Sequence, residues 1–170
     1  MYKKINANPN NQGFSLIETV VAMLIVSFGL MSISALYLRL QQFNRDAYLQ
    51  TQATIIAHDM VERMRANLIA VREGQYNQGK AQLHRSCYTS AGCLPSEMAE
   101  HDYYEWSGES VHAMTKRLPQ GVGCVCIDST PQDGTLQDDS CDNIGSYYAI
   151  KLWWQSSQGK TERFVTIATF

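Results

Sequence analysis

Apolar residues crowd one end of this chain. Residues 14–38 read FSLIETVVAMLIVSFGLMSISALYL, and Glu18 is the only charged side chain among them. From Thr19 to Leu38 there are 20 uncharged residues. As a helix rising about 1.5 Å per residue they span about 30 Å, one hydrocarbon core. Beyond this run Leu49, Ala53, Ile56, Met60, Met64 and Leu68 recur at spacings of three or four. That is an apolar stripe along a helix, and simple core packing explains it. Arg39, Arg45, Asp46, Asp59, Glu62, Arg63, Arg65 and Arg72 fall mainly on the other faces. No proline lies between Pro9 and Pro95, and Gly29 is the only glycine from Phe14 to Glu73. One helix is therefore predicted over residues 14–73, 60 residues in all, about 90 Å long. Gly74 is its expected C-cap, with Arg72 in the last turn.

From Gly74 the pattern changes. Gly, Ser, Asn, Asp, Cys and aromatic residues rise. Residues 96–118 suggest partial helix. Ser96 is placed to cap it, Met98, Tyr104, Trp106, Val111 and Met114 form an imperfect apolar face, and Pro119 closes it. Val122–Asp128, Ser146–Gln155 and Arg163–Phe170 read as strands, with Gln155–Lys160 a hairpin loop between the last two. The architecture predicted is α+β: a long N-terminal helix, apolar in its first half and amphipathic in its second, packed on a small antiparallel sheet of three or more strands formed by residues 74–170.

Charge sets the orientation. Residues 1–13 (MYKKINANPNNQG) hold Lys3 and Lys4 and no acid. Lysines before a span predict that this end stays cytoplasmic, with the remainder outside the inner membrane. A secretory signal has an apolar core of roughly 7–15 residues followed by a small-residue cut site; the run here is longer and no A-x-A follows it. A plain membrane anchor explains the length and the lysines but not Glu18. A carboxylate in such a span costs roughly 2.5–3.5 kcal/mol, and no Lys, Arg or His occurs from residue 5 to residue 38. Its counter-ion must come from another chain or from a cut in this one. Cleavage after Gly13 frees an amine on Phe14, and Phe14 and Glu18 are i and i+4, on one helix face.

Composition removes other functions. The net charge of -2, from 14 basic and 16 acidic side chains, excludes a broad basic nucleic-acid face, so nucleic acid is not expected as a direct partner. A hydrophobic fraction of 45% excludes a disordered chain. The histidines His58, His84, His101 and His112 accompany no G-x-S-x-G, P-loop, H-E-x-x-H or dinucleotide fingerprint. No enzyme activity and no cofactor are expected.

All five cysteines follow the span: Cys87, Cys93, Cys124, Cys126 and Cys141. An oxidising periplasm favours disulfides there. Cys87 and Cys93 bracket a short loop. Cys126 and Cys141 close a 16-residue segment, worth about 3 kcal/mol by chain entropy. Cys124 is left over; it shares a strand face with Cys126, so a bridge from Cys124 to Cys141 is the alternative. Zinc on His84, Cys87 and Cys93, or on Cys124, Cys126 and Cys141, lacks the paired C-x-x-C spacing. Asp128, Asp133, Asp138, Asp139 and Asp142 follow no EF-hand pattern and read as a solvated loop.

Gly13-Phe14-Ser15-Leu16-Ile17-Glu18, after a basic leader and before a long apolar helix, resembles the class III signal of type IV prepilins and pseudopilins. Farther on, Gln52-Ala53-Thr54 and Ala57 through Asn67 resemble the helix exit of PilV-type minor pilins, the type IV pilus modification proteins. Gly74-Gln75-Tyr76, Asp102 with Trp106, Leu118-Pro119-Gln120-Gly121, Asp128-Ser129-Thr130 and Lys151-Leu152-Trp153-Trp154 are similar to the same group. The resemblance implies the type IV pilin fold: a leader over residues 1–13, a helix over 14–73 of which 14–38 is transmembrane, and a periplasmic or extracellular head over 74–170. It implies cleavage between Gly13 and Phe14 by prepilin peptidase, N-methylation of Phe14, and pairing of Glu18 with a neighbour's amino terminus during assembly. The partners implied are other minor pilins, the major pilin and the inner-membrane assembly platform. The location implied is the inner membrane first and the pilus afterwards. A minor pseudopilin of a type II secretion system and a membrane-anchored periplasmic binding domain are the alternative expectations.

Overall fold

The computed structural model describes residues 13, 15–107, 110 and 112–170. They fall into two compact units, Met1–Gln41 and Gln42–Phe170. Helix α1, Leu16–Ala66, begins in the first unit and ends in the second. In the first unit it has no core. Leu16 is 80% exposed and Met31 73%, and apolar side chains from Leu16 to Leu40 are open throughout.

In the second unit the same helix buries Leu49, Ala53, Ile56, Met60 and Met64, the predicted stripe. The stripe's last member departs from expectation: Leu68 is 40% exposed. The reason is a break in the helix. Asn67 leaves helical geometry (φ -127°, ψ 56°), and a separate short helix α2 spans Leu68–Arg72. The Asn67 side-chain amide donates to the Pro95 carbonyl at 2.8 Å and to the Tyr76 hydroxyl at 3.3 Å. Asparagine favours such bonds over a helix interior, and the single helix predicted over 14–73 is divided there. Beyond the break Ala70 and Val71 turn inward. The end of α2 is capped as a Schellman motif: Gly74, at φ +74°, donates to the Val71 carbonyl and Gln75 donates to that of Ala70.

Strands β1 (Val122–Ile127), β2 (Tyr148–Gln155) and β3 (Thr161–Ala168) form an antiparallel sheet in that order. Val122 pairs with Trp153, and Tyr148 with Ala168. The Ser156–Lys160 turn links β2 to β3, with the Ser156 amide donating to the Lys160 carbonyl. From Tyr148 to Trp154 every residue of β2 is buried, because both faces of the central strand are covered. Tyr148, Ile150, Leu152 and Trp154 join the core with Ile56, Met60 and Met64 of α1 and with Val125 of β1. Ala149, Lys151 and Trp153 alternate to the opposite face.

Helix α3, Pro95–Trp106, is shorter than the partial helix predicted over 96–118, and Met114–Arg117 forms a separate 3-10 turn. Ser96 does not cap α3: Pro95 occupies its first turn, and the Glu97 carboxylate accepts the Leu94 amide at 3.0 Å. Its buried face is Ala99, His101, Asp102, Tyr103 and Trp106, so Met98 and Tyr104 lie on half-exposed flanks. Val111, assigned to that face from the sequence, lies outside the described residues. Between the 3-10 turn and β1, a Cβ on Gly121 would lie 2.0 Å from the Thr115 carbonyl oxygen. The glycine lets the chain pass that backbone on its way into the sheet.

Candidate functional site

Gly13 and Ser15 precede α1 and are exposed, while Phe14 and residues 1–12 lie outside the described residues. The Ser15 carbonyl accepts the amides of Glu18 at 3.0 Å and Thr19 at 3.2 Å, which starts the helix. Glu18 therefore sits in the first turn, where the helix dipole favours an anion. Its side chain makes no ion pair among the described residues. The hydroxyls that follow are satisfied within the helix: Ser27, Ser32 and Ser34 donate to the carbonyls of Met23, Phe28 and Leu30. With hydroxyls closed back on the helix, the segment presents an apolar surface, and α1 is long and apolar enough to cross a membrane. One exposed carboxylate on that surface is the chemistry this unit offers.

The second unit holds two polar clusters. In the first, Arg63 of α1 donates to Asp59 at 2.6 Å, Asp102 at 3.1 Å and Glu105 at 2.8 Å. The Tyr76 hydroxyl donates to the other Asp102 oxygen at 2.5 Å. Burial pushes Asp102 upward against the pull of Tyr76 and Arg63. Burial draws Arg63 downward, but its bonds to Glu105 and Asp59 outweigh this and hold its proton more firmly. Beside the cluster, Trp106 donates to the Ile56 carbonyl. The result clamps α3 and the Tyr76 loop to α1.

In the second cluster Lys151, fully buried on the outer face of β2, pairs with fully buried Asp128. It also donates to Asp133 at 2.9 Å and to the Asp139 carbonyl at 2.8 Å. These partners belong to the 128–141 loop, so a single ammonium gathers it over the sheet. Cys126 is joined to Cys141 with Cα atoms 6.1 Å apart, and Cys87 to Cys93 at 4.9 Å. Cys124 is a free thiol whose sulfur lies within 4.8 Å of both sulfurs of the Cys126–Cys141 bridge. His84 is directed to Glu100 at 2.6 Å.

Neither cluster is legible as such in the sequence pattern. Arg63 and Asp102 are 39 positions apart, and a charge beside an apolar stripe reads as solvated until its partner is in place. For Lys151 there was a signal: a lysine inside Tyr-Ala-Ile-Lys-Leu-Trp-Trp, a run that otherwise reads as buried strand.

A family model of the type IV pilin Tt1218 matches residues 35–104. A model of the prokaryotic N-terminal methylation motif matches residues 8–34. The matches adjoin, covering 8–104 together, and they meet inside α1. No curated protein and no solved structure matches the chain.

Proposed function

We propose that this chain, which belongs to the type IV pilin-like family, acts as a minor pilin. Family membership brings N-terminal processing by prepilin peptidase, membrane anchoring through α1, and assembly with other pilins. Pilins are structural subunits. The finer reading is a PilV-type subunit that helps initiate the pilus with other minor pilins, at or near its tip. The major pilin and the inner-membrane platform are its other partners. Motility, adhesion or DNA uptake by the pilus would depend on it.

The observation that carries the reading is Glu18. It stands exposed in the first turn of an apolar helix, and residues 5–38 contain no cation to pair with it. Cutting between Gly13 and Phe14 removes the basic leader 1–13 and creates an amine four residues before Glu18. The amine of a neighbouring subunit then neutralises the carboxylate where lipid would penalise it, and apolar helices 14–38 pack side by side. In this reading residues 74–170 form the exported head, with Cys87–Cys93 and Cys126–Cys141 protecting its loops in an oxidising compartment.

Mass spectrometry of the protein recovered from cells tests it. The expected amino terminus is N-methylated Phe14; recovery with residues 1–13 attached would overturn the proposal. Deletion of the gene tests the machine. Loss of pili with intact protein export is expected, whereas lost export with normal pili would indicate a secretion pseudopilin.

A further inference from the structure

We infer that Cys124 is a second bridging partner for Cys141, so that the 128–141 loop can be fastened to β1 at either of two positions. The three sulfurs lie within 4.8 Å of one another although only Cys126 and Cys141 are bonded. Cys124 and Cys126 are two positions apart on β1 and project from the same face, opposite the core-facing Val125. The loops closed by the two bridges differ by two residues, so closure entropy hardly distinguishes them. Local contacts decide.

Those contacts centre on Lys151, which lies opposite Cys124 in the sheet register; Cys126 lies opposite Ala149. Lys151 holds the Asp139 carbonyl, two residues before Cys141. Cys141 is thereby kept at the Cys126 position. Fastening it to Cys124 moves it along β1 onto the place where Asp128, Asp133 and Asp139 gather round the ammonium. The cage and the alternative bridge compete for one site.

The step balances internally. The Cys124 thiolate attacks the Cys141 sulfur, the Cys124–Cys141 bond forms, and the Cys126–Cys141 bond breaks. Cys126 leaves as a thiolate and takes up the proton that Cys124 gave. No external oxidant or reductant enters. At neutral pH the exchange is slow. Burial, then Asp139, pushes the Cys124 thiol up to about 12, with Lys151 pulling it down and Asp128 adding to the rise; Tyr103 of α3 is a further titratable neighbour.

The test is thiol mapping on the full chain. Oxidised protein is held in mildly alkaline buffer at about pH 9, below the range in which the fold is lost, then quenched in acid, alkylated and digested. Label on both Cys124 and Cys126 is expected, with the Cys126 share growing with time; label confined to Cys124 overturns the inference. The Cys126→Ser variant is expected to yield a Cys124–Cys141 cross-linked peptide, and two free thiols in that folded, oxidised variant overturn it as well. Once the share has stopped growing, Lys151→Gln should leave the Cys126 share larger than in the parent. An unchanged share would remove Lys151 from the account.

Discussion

The Trp106 indole N–H donates to the main-chain carbonyl of Ile56 at 2.8 Å. Both residues are fully buried. The bond ties the last turn of α3 to the middle of the buried stretch of α1, and it fixes which face of α3 looks inward. Trp106 also stacks edge-on to Tyr103 with ring centroids 6.4 Å apart, and Tyr103 donates to the carbonyls of Tyr76 and Val125. Helix, loop and sheet therefore meet around one aromatic pair. Trp106→Phe keeps most of the volume and loses the donor, and it should cost about 1–2 kcal/mol. Trp106→Ala should cost about 3–5 kcal/mol. Denaturant unfolding of the detergent-solubilised protein would rank the two, and equal losses would show that the filled volume contributes nothing beyond the hydrogen bond.

The Lys151–Asp128 pair has no exposed surface on either side chain. Removing one member strands a buried charge, so Asp128→Leu and Lys151→Met should each destabilise by about 3–5 kcal/mol. A Lys151→Met, Asp128→Leu double variant should lose much less than the sum. Strict additivity in this cycle would mean that the groups do not interact.

Gly121→Ala places a methyl group against the Thr115 carbonyl and within 2.8 Å of the Leu118 side chain. Backbone cannot swing aside as a flexible side chain can. The expected loss is about 1–3 kcal/mol from overpacking, read as a lowered melting temperature. Gly92→Ala is a useful contrast, because nothing lies within 4 Å of the new Cβ and only its φ of +72° resists the change.

Alkali should unfold the second unit. Burial lowers Lys151, but hydrogen bonds to Asp128 and Asp133 more than compensate, and its pKa is raised above the ordinary 10.5. Burial, helped by Asp102, raises Tyr76 above 10.0, and burial raises Tyr103 well above the same value. In each case the folded state holds its proton more tightly than the unfolded chain. This stabilisation is complete below about pH 10 and is lost as pH climbs through the folded values. Melting curves across that range should fall steeply. A flat profile from neutral pH to about 11 would contradict the assignment.

Glu18→Ala should leave cleavage after Gly13 largely intact while impairing incorporation into the filament complex. Immunoblots of cell membranes and of sheared pili separate the two effects. Normal incorporation of the alanine variant would remove the carboxylate from assembly.

Patterning along the chain was enough to settle the class of fold. Charge-free residues over one membrane thickness, the stripe from Leu49 to Met64, and three short runs near Val122, Tyr148 and Arg163 are local signals, and each strand lies within two residues of its predicted limits. The chemistry proposed for Gly13 to Glu18 rests on equally local signals, the spacing and the absence of cations nearby. Tertiary structure decided the rest. Asn67 interrupts the helix because Pro95, 28 positions away, and Tyr76 accept its amide. Arg63 is an ion-pair hub because α3 delivers Asp102 and Glu105 to it. Alternation alone placed Cys124 beside Cys126, but the reach of the 128–141 loop, drawn down by a buried ammonium, brings Cys141 to them. Such contacts join residues with no fixed spacing, and burial sets their strength, so they acquire meaning only once the chain has folded.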